Sequence, residues 1–317
     1  MNKDFWENKK VLITGGSGLL GKHLLPILRK TEGELFAPRR KDYDLRFENE
    51  VISMFKGFRP DIVIHMAVNG GGIGYMSNNP GSIYYDNVTM NTNVVHNSFR
   101  NNVKKFVGIG TVCEYPKHTP VPFREENLWN GYPEETNAPY GISKRMMLMH
   151  TQSYSNNYGF NGIHLLLANL YGPRDNFKPE RSHAIPALIQ KMINAKEGGE
   201  SKVVLWGTGN ASREFLFVED AANAIIIATE KYDKPEPLNI GSGKEIKIRD
   251  LAEKIKIYTG FKGEIIWDTS KPDGQPRRHL DVSKAKKYMD FKAKTDFDEG
   301  LRKTIKWYLR YRDGKAD

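Results

Sequence analysis

A tyrosine and a lysine stand four residues apart in Tyr140-Gly141-Ile142-Ser143-Lys144. On a helix this spacing puts the phenol and the ammonium on one face. An unperturbed phenol titrates at about pH 10, and a neighbouring cation favours its ionised form. Such a pair can exchange a proton near neutrality. Taken alone, the spacing also fits two surface side chains that share a face. Thr111 tips the balance. It closes a predicted strand in Gly108-Ile109-Gly110-Thr111-Val112-Cys113-Glu114-Tyr115-Pro116, where its hydroxyl can hydrogen-bond the same substrate oxygen as Tyr140.

What must position these groups begins at the N-terminus. An apolar strand enters the glycine turn Gly15-Gly16-Ser17-Gly18-Leu19-Leu20-Gly21, and an amphipathic helix leaves it. One glycine permits the tight bend, one lets the backbone approach a pyrophosphate, and one lets helix and strand lie close. The helix start then offers free N–H groups and a positive dipole end. The alternative is an ordinary glycine-rich turn, but a position directly after the first strand points to a dinucleotide site.

Strands are expected at 10–14, 34–37, 61–65, 104–109 and 162–168, with helices at 18–30, 48–56, 80–101 and 140–158 between them. This alternation predicts a parallel, doubly wound sheet. After Tyr171-Gly172-Pro173 the pattern loosens. Helices are expected near 184–195, 218–230, 248–258 and 298–311, with strands at 203–206, 238–240 and 264–267. The stretch Lys271–Arg278, with two prolines and a glycine, reads as a loop.

Composition narrows the function classes. A 39% hydrophobic, 27% charged chain of 317 residues has the make-up of a soluble globular protein with a sizeable core. No apolar run approaches the roughly 20 residues that span a membrane. The charged start MNKDFWENKK leads straight into the first strand, so no signal peptide is expected. One cysteine excludes an internal disulfide framework and fits a reducing cytoplasm. The net charge is +10, but the lysines are dispersed, which argues against nucleic acid and for an anionic substrate.

Thr111, Tyr140 and Lys144 together resemble the catalytic set of the extended short-chain dehydrogenase/reductases. Further segments are similar to the GDP-fucose synthase family: Asn69–Asn79, Cys113–Lys117, Asn169–Pro173, Asp175–Phe177, Ser182–Leu188, Trp206–Gly209, Arg213–Leu216 and Lys271–Gly274. This resemblance implies a Rossmann-type α/β fold, a doubly wound parallel sheet with a smaller α/β substrate-binding domain. Residues 1–172 plus 213–241 would form the NADP-binding domain, and 173–212 plus 242–317 the nucleotide-sugar domain. It further implies an NADPH-dependent epimerase/reductase or C4 reductase acting on a GDP-4-keto-6-deoxy sugar. A homodimer would form through the helices at 80–101 and 140–158.

The resemblance assigns Cys113 and His183 as the acid/base pair for epimerisation beside the 4-keto group. A C–H next to a carbonyl is acidified, and two groups can remove and return its proton on different faces. From the residues alone, Cys113 reads as a small buried residue at a strand end, and His183 as a helix-start histidine satisfied by backbone. Cofactor contacts are implied at Gly15–Gly21, Arg40, Lys41, Asp44, Leu45, Ile109, Gly110, Lys144, Leu167, Ala168, Asn169, Leu170 and His183. Substrate contacts are implied at Lys191, Trp206, Arg213, Asp273 and Arg277. Trp206 reads alternatively as core packing.

Thr111 stands where the family usually has serine, and the hydroxyl is kept. Ser17 stands where some members carry an arginine. At the end of the second strand an acid would bind a ribose 2′-hydroxyl and an arginine a 2′-phosphate. Here Arg39-Arg40-Lys41 carries three cations and no acid, which favours NADP, although a solvated turn has the same composition. Asp44-Leu45 is expected near the adenine. Two other readings remain. An NAD-dependent nucleotide-sugar 4-epimerase or dehydratase is one, although Val112 and Cys113 stand where dehydratases carry Asp-Glu. A dinucleotide-sensing regulator without chemistry is the other, although both Tyr140 and Lys144 are present.

Overall fold

A computed structural model describes residues 2–271 and 273–315. Its strands are β1 (Lys10–Thr14), β2 (Glu34–Phe36), β3 (Ile62–His65), β4 (Lys105–Thr111), β5 (Gly162–Leu167), β6 (Asn169–Tyr171), β7 (Lys202–Trp206), β8 (Ser212–Phe217), β9 (Leu238–Ile240), β10 (Glu245–Lys247), β11 (Glu264–Asp268) and β12 (Arg277–Arg278). Its helices are α1 (Lys3–Trp6), α2 (Leu19–Leu28), α3 (Glu48–Phe58), α4 (Ile73–Asn78), α5 (Pro80–Arg100), α6 (Ala138–Tyr158), α7 (Ala184–Glu197), α8 (Val218–Lys231), α9 (Ile248–Thr259), α10 (Ser283–Met289) and α11 (Phe297–Arg312).

Six parallel strands form the main sheet in the order β2-β1-β3-β4-β5-β9. Its inner strands are buried along almost their whole length and mostly apolar, because helices cover both faces. Val11, Ile13, Ile62, Ile64, Val107, Ile163 and Leu165 are all fully or almost fully buried. Each such side chain contributes about 1.5–3 kcal/mol by leaving water. The chain runs outward from β1 to β2, then crosses back to β3 on the other side of β1. That reversal opens a crevice at the carboxyl ends of β1 and β3, where open α/β sheets bind ligands.

A second core gathers Phe177, Ile189, Met192, Leu251, Ile255 and Tyr308 beneath α7, α9 and α11. Beside it β8 pairs with β10, β12 and β6, and β7 pairs with β11. The expected elements are present with ends shifted by a few residues. The sequence reading missed β8 and the short β6, β10 and β12, of which β12 lies inside the expected loop 271–278. It also missed α1, α4 and α10. The expected boundary at 213 falls inside β8: the small sheet takes this strand, while β9 joins the main sheet and α8 packs on α2. Pro272, part of the quoted Lys271–Gly274 segment, lies outside the described residues. Among the described residues no helix is long and apolar enough to cross a membrane.

Candidate active site

The glycine turn forms as a phosphate cradle must. Gly15 has φ +72°, and a Cβ there would stand 2.7 Å from the Ala67 nitrogen. A Cβ on Gly21 would meet the Gly16 backbone at 2.5 Å, so this glycine sets how closely α2 lies on the turn. Gly18 is the N-cap of α2 with no side-chain cap, and the first turn carries no acid. Uncapped N–H groups without a competing carboxylate fit the diphosphate of a dinucleotide. Ser17 and Leu19 flank Gly18 in this turn, and Leu20 is buried under it.

At the rim, Arg40 and Lys41 are exposed. Arg40 Nε donates to Asp44 at 3.2 Å, and Arg46 donates to the same carboxylate at 2.7 Å. The Arg46 contact, more than any other, holds the Asp44 carboxyl down at about 2. The acid is thus matched by Arg46, which leaves the 39–41 turn basic. Leu45 is buried beside it, its carbonyl accepting from Asn93. Farther in, Ile109, Leu167 and Ala168 are buried, with Gly110 beside Leu166 near the carboxyl end of β4. Asn169 donates to the Glu214 carbonyl at 2.8 Å as the chain leaves β5 for β6 with Leu170.

The groups expected to transfer protons lie at the end of β4 and on α6. Thr111 is the last residue of β4 and the N-cap of the turn that follows. Its hydroxyl accepts the Cys113 N–H at 3.3 Å, which directs its own O–H away from the backbone. Tyr140 and Thr111 are half-buried, whereas Lys144 is fully buried. Burial pushes the Tyr140 phenol well above its ordinary range; Cys113 and Glu114 add to this, and the Thr111 hydroxyl opposes it. Burial also lowers Lys144 to about 8, against the pull of Glu114. Burial thus opposes the ionised phenol that a neighbouring cation favours. Lys144 turns its ammonium to the Ile109 carbonyl at 2.8 Å, and burial keeps the phenol protonated.

A buried network supports this floor. His65 donates Nε2–H to Asn91 Oδ1 at 3.0 Å and accepts the Thr14 hydroxyl at Nδ1 at 2.7 Å, and Asn91 donates to the Ser143 carbonyl on α6 at 3.1 Å. Burial, with the Lys144 charge adding to it, lowers His65 to about 3, so it stays neutral. Composition alone did not mark these residues.

Cys113 is half-buried and has an unexpected neighbour. Arg278 donates Nη1 to its sulfur at 3.4 Å and is itself held by Gln275 at 3.1 Å. The register explains why Arg278 rather than Arg277 is there. β12 pairs with β8 so that Arg278 faces Arg213 and Arg277 faces Ser212. Alternate residues of a strand point to opposite faces. Arg277 accordingly turns away from Cys113 and pairs with Glu245, which also takes the Ser212 hydroxyl at 2.5 Å. Of the two arginines it is therefore Arg278 that reaches Cys113, while Arg277, expected to contact substrate, lies exposed beside Glu245.

The remaining expected contacts form a more open wall. Arg213 is pushed down to about 10, by burial first and the Arg278 charge second, and donates to the Ser212 and Gln275 carbonyls at 2.7 Å. Glu214 fixes this strand by accepting from Gly243 and Leu280. Trp206 is 69% exposed, which excludes core packing, and Lys271 lies 5.8 Å from its ring. Asp273 closes the 207–209 turn by accepting from the Thr208 nitrogen and hydroxyl at 2.6 and 2.7 Å. Lys191 is exposed and donates to the Val204 carbonyl.

His183 is the N-cap of α7 and makes no side-chain cap bond. It is exposed at the surface, yet desolvation by the surrounding protein lowers its imidazole. The segment before it is pinned from across the crevice: Gly72 donates to the Arg181 carbonyl at 3.0 Å, and Arg181 stacks on Tyr75 at 4.2 Å. Among the described residues no hydrogen bond joins His183 to Cys113.

Known proteins share this construction. The model of the NAD dependent epimerase/dehydratase family matches residues 11–241. A probable GDP-L-fucose synthase 1 of Oryza sativa is 39% identical over 310 residues, covering 95% of this chain and 92% of the relative. A GDP-6-OMe-4-keto-L-xylo-heptose reductase of C. jejuni superposes with a TM-score of 0.91 at 30% identity, over 98% of this chain and 99% of the other. A GDP-L-fucose synthetase of Naegleria fowleri bound to NADP superposes with a TM-score of 0.88 at 30% identity, over 98% and 97%. Matched by such relatives over nearly its whole length, the chain belongs to the GDP-L-fucose synthase family within the NAD dependent epimerase/dehydratase family.

Proposed function

We propose that the protein is an NADPH-dependent epimerase/reductase of a GDP-4-keto-6-deoxy sugar. The observation that carries this reading is the junction of two chemistries at one strand end. Thr111, Tyr140 and Lys144 form a proton-donating floor, and Cys113, two residues past Thr111, meets Arg278 from the sugar-side sheet. The glycine turn and Arg40 and Lys41 fit a phosphorylated dinucleotide. NADPH, when bound, supplies the hydride for C4. Tyr140 gives its proton to the 4-oxygen, so the carbonyl becomes a secondary alcohol. Lys144 balances charge beneath the phenol, and Thr111 directs its O–H to the same oxygen. Arg213 and Arg278 take the diphosphate side, and Trp206 packs on base or ribose.

Cys113 and His183, from the floor and from the lip of α7, are assigned to proton exchange at C3 and C5 before reduction. The test is reaction in D2O with GDP-4-keto-6-deoxy-D-mannose and mass spectrometry of the product. Solvent deuterium at C3 or C5 supports epimerisation. Cys113→Ser should suppress that deuterium while hydride transfer persists. The C. jejuni reductase likeness favours a second reading, C4 reduction alone, and product without solvent deuterium selects it. A second copy of the chain is inferred to cover the exposed Tyr84, Tyr85, Met146 and Met149 of α5 and α6, forming a homodimer. Residues 1–172 with 213–241 are assigned to cofactor and the rest to sugar nucleotide, with β8 shared between them. A cytoplasmic location completes this reading.

A further inference from the structure

A buried carboxylate lies beneath the proton donor, and no step above uses it. Glu114 is fully buried in the turn after β4. Its Oε1 accepts the Thr111 N–H at 2.8 Å, closing a capping box with the Thr111 side chain. Both carboxylate oxygens lie 3.1 Å from Nε2 of His164, a buried residue of β5. Its backbone carbonyl accepts Arg145 Nε at 2.6 Å. The pair presses on β4 so closely that a Cβ at Gly110 would stand 2.2 Å from His164 Nε2 and 2.4 Å from Glu114 Oε1. The titratable and charged groups in its electrostatic reach are Tyr140, Lys144 and Arg145 on α6, His164 on β5, and Cys113 and Tyr115 on its own turn.

We propose that Glu114 is a positioning residue for reduction: clamped by His164, it fixes the Thr111 turn and places one negative charge beneath the Tyr140–Lys144 pair, so the pair delivers its proton over a wider pH range. This rests on the assignment of Tyr140 and Lys144 made above. The electrostatics have one sign. A buried anion favours the protonated phenol and the protonated amine alike. Burial drives Lys144 down to about 8, and Glu114 opposes that. Burial drives Tyr140 up, and Glu114 adds to it. Without the charge, both groups lose their protons at lower pH. Glu114 touches neither reacting atom; it acts through Thr111 and through its field.

The experiment is the pH dependence of kcat for NADPH oxidation with GDP-4-keto-6-deoxy-D-mannose, from about pH 6 to about pH 10, the interval in which amine and phenol groups titrate. Glu114→Gln keeps the size and an acceptor for Thr111 but removes the charge. Its alkaline limb is expected about one pH unit below that of the wild type, roughly a tenfold loss on that limb. Glu114→Asp keeps the charge but withdraws it from the Thr111 nitrogen. Its limb is expected to stay in place while kcat falls evenly at all pH. A Glu114→Gln enzyme whose kcat drops evenly with an unmoved limb overturns the proposal, since that is what a purely structural residue does. If Glu114→Gln does not fold, Glu114→Asp decides: a displaced limb with the charge retained overturns it. Tyr140→Phe in the same assay separates the two layers. If it still transfers hydride at near wild-type rate, the underlying assignment fails; if it does not, the Glu114 result stands by itself.

Discussion

The floor of the crevice and its sugar-side wall are built in opposite ways. On the floor, Lys144, His65, Glu114 and His164 are buried and tied to backbone or to one another. On the wall, Trp206, Lys191 and Asp273 are exposed, and their partners are turns and carbonyls of the same sheet. Proton transfer needs groups whose protonation and direction are fixed before substrate arrives, which a dry, crowded site supplies. Holding a long, polar, charged ligand needs contact area that loses water only on binding. The floor should therefore govern kcat and stability, and the wall KM.

The largest test of that division is Tyr140→Phe. Removing the proton donor should lower kcat by about 10²–10⁴-fold with KM nearly unchanged, because the lost interaction belongs to the transition state. A variant within a few-fold of wild type in kcat would place the acid elsewhere and break the comparison at its centre. The second test reads the floor through stability. His65 sits at about 3 in the folded protein, below its ordinary 6.5. Between those values the unfolded chain binds the proton and the folded chain does not. Stability is therefore fully present above 6.5 and falls as pH drops towards 3, by up to about 1.4 kcal/mol per pH unit. Urea unfolding of wild type and His65→Gln at several pH values isolates this contribution; equal slopes would deny the burial of His65. A third, smaller effect belongs to the rim. Arg40→Ala should raise the KM for NADPH about tenfold, the worth of one exposed charge-assisted contact, and leave that for NADH unchanged. Parallel changes with both cofactors would remove Arg40 from 2′-phosphate recognition.

The two sides also differ in how legible they were. The turn Gly15–Gly21, the end of β4 and the Tyr140–Lys144 spacing follow from local rules of turn, period and helix face, so the sequence located them without tertiary information. The four-residue pattern Thr111-x-x-Glu114 is itself a capping-box signature and could have drawn attention to Glu114. His65 and His164 could not have been found that way. Their roles arise when β1, β3, β4 and β5 align side by side, and periodicity says only that such residues are inside. The wall was harder still. The small sheet is assembled from two- to six-residue strands far apart in sequence, too short to show alternation. That is why Lys271–Arg278 read as loop and why the neighbour of Cys113 went unmarked: telling which of two adjacent arginines reaches it requires a register, and the register is set by β8.

The smallest expected effect tests the wall from its most exposed residue. Trp206 ends β7, where residues alternate between buried and exposed, and its position in that alternation turns the indole outward. An aromatic that is 69% exposed contributes little to the folded state, so Trp206→Ala should move stability by no more than about 0.5 kcal/mol. The same ring is free to cover a base or ribose as proposed above, and Lys271 stands near its face. Losing one such stacking contact is worth about 1 kcal/mol, so KM for the GDP-sugar should rise about five-fold while kcat stays near wild type. Trp206→Phe should recover part of that loss, because a smaller ring keeps the geometry. Steady-state kinetics at saturating NADPH read both numbers. If Trp206→Ala instead lowers kcat at unchanged KM, the indole contributes to the reacting geometry, and the separation between a floor that reacts and a wall that binds does not hold.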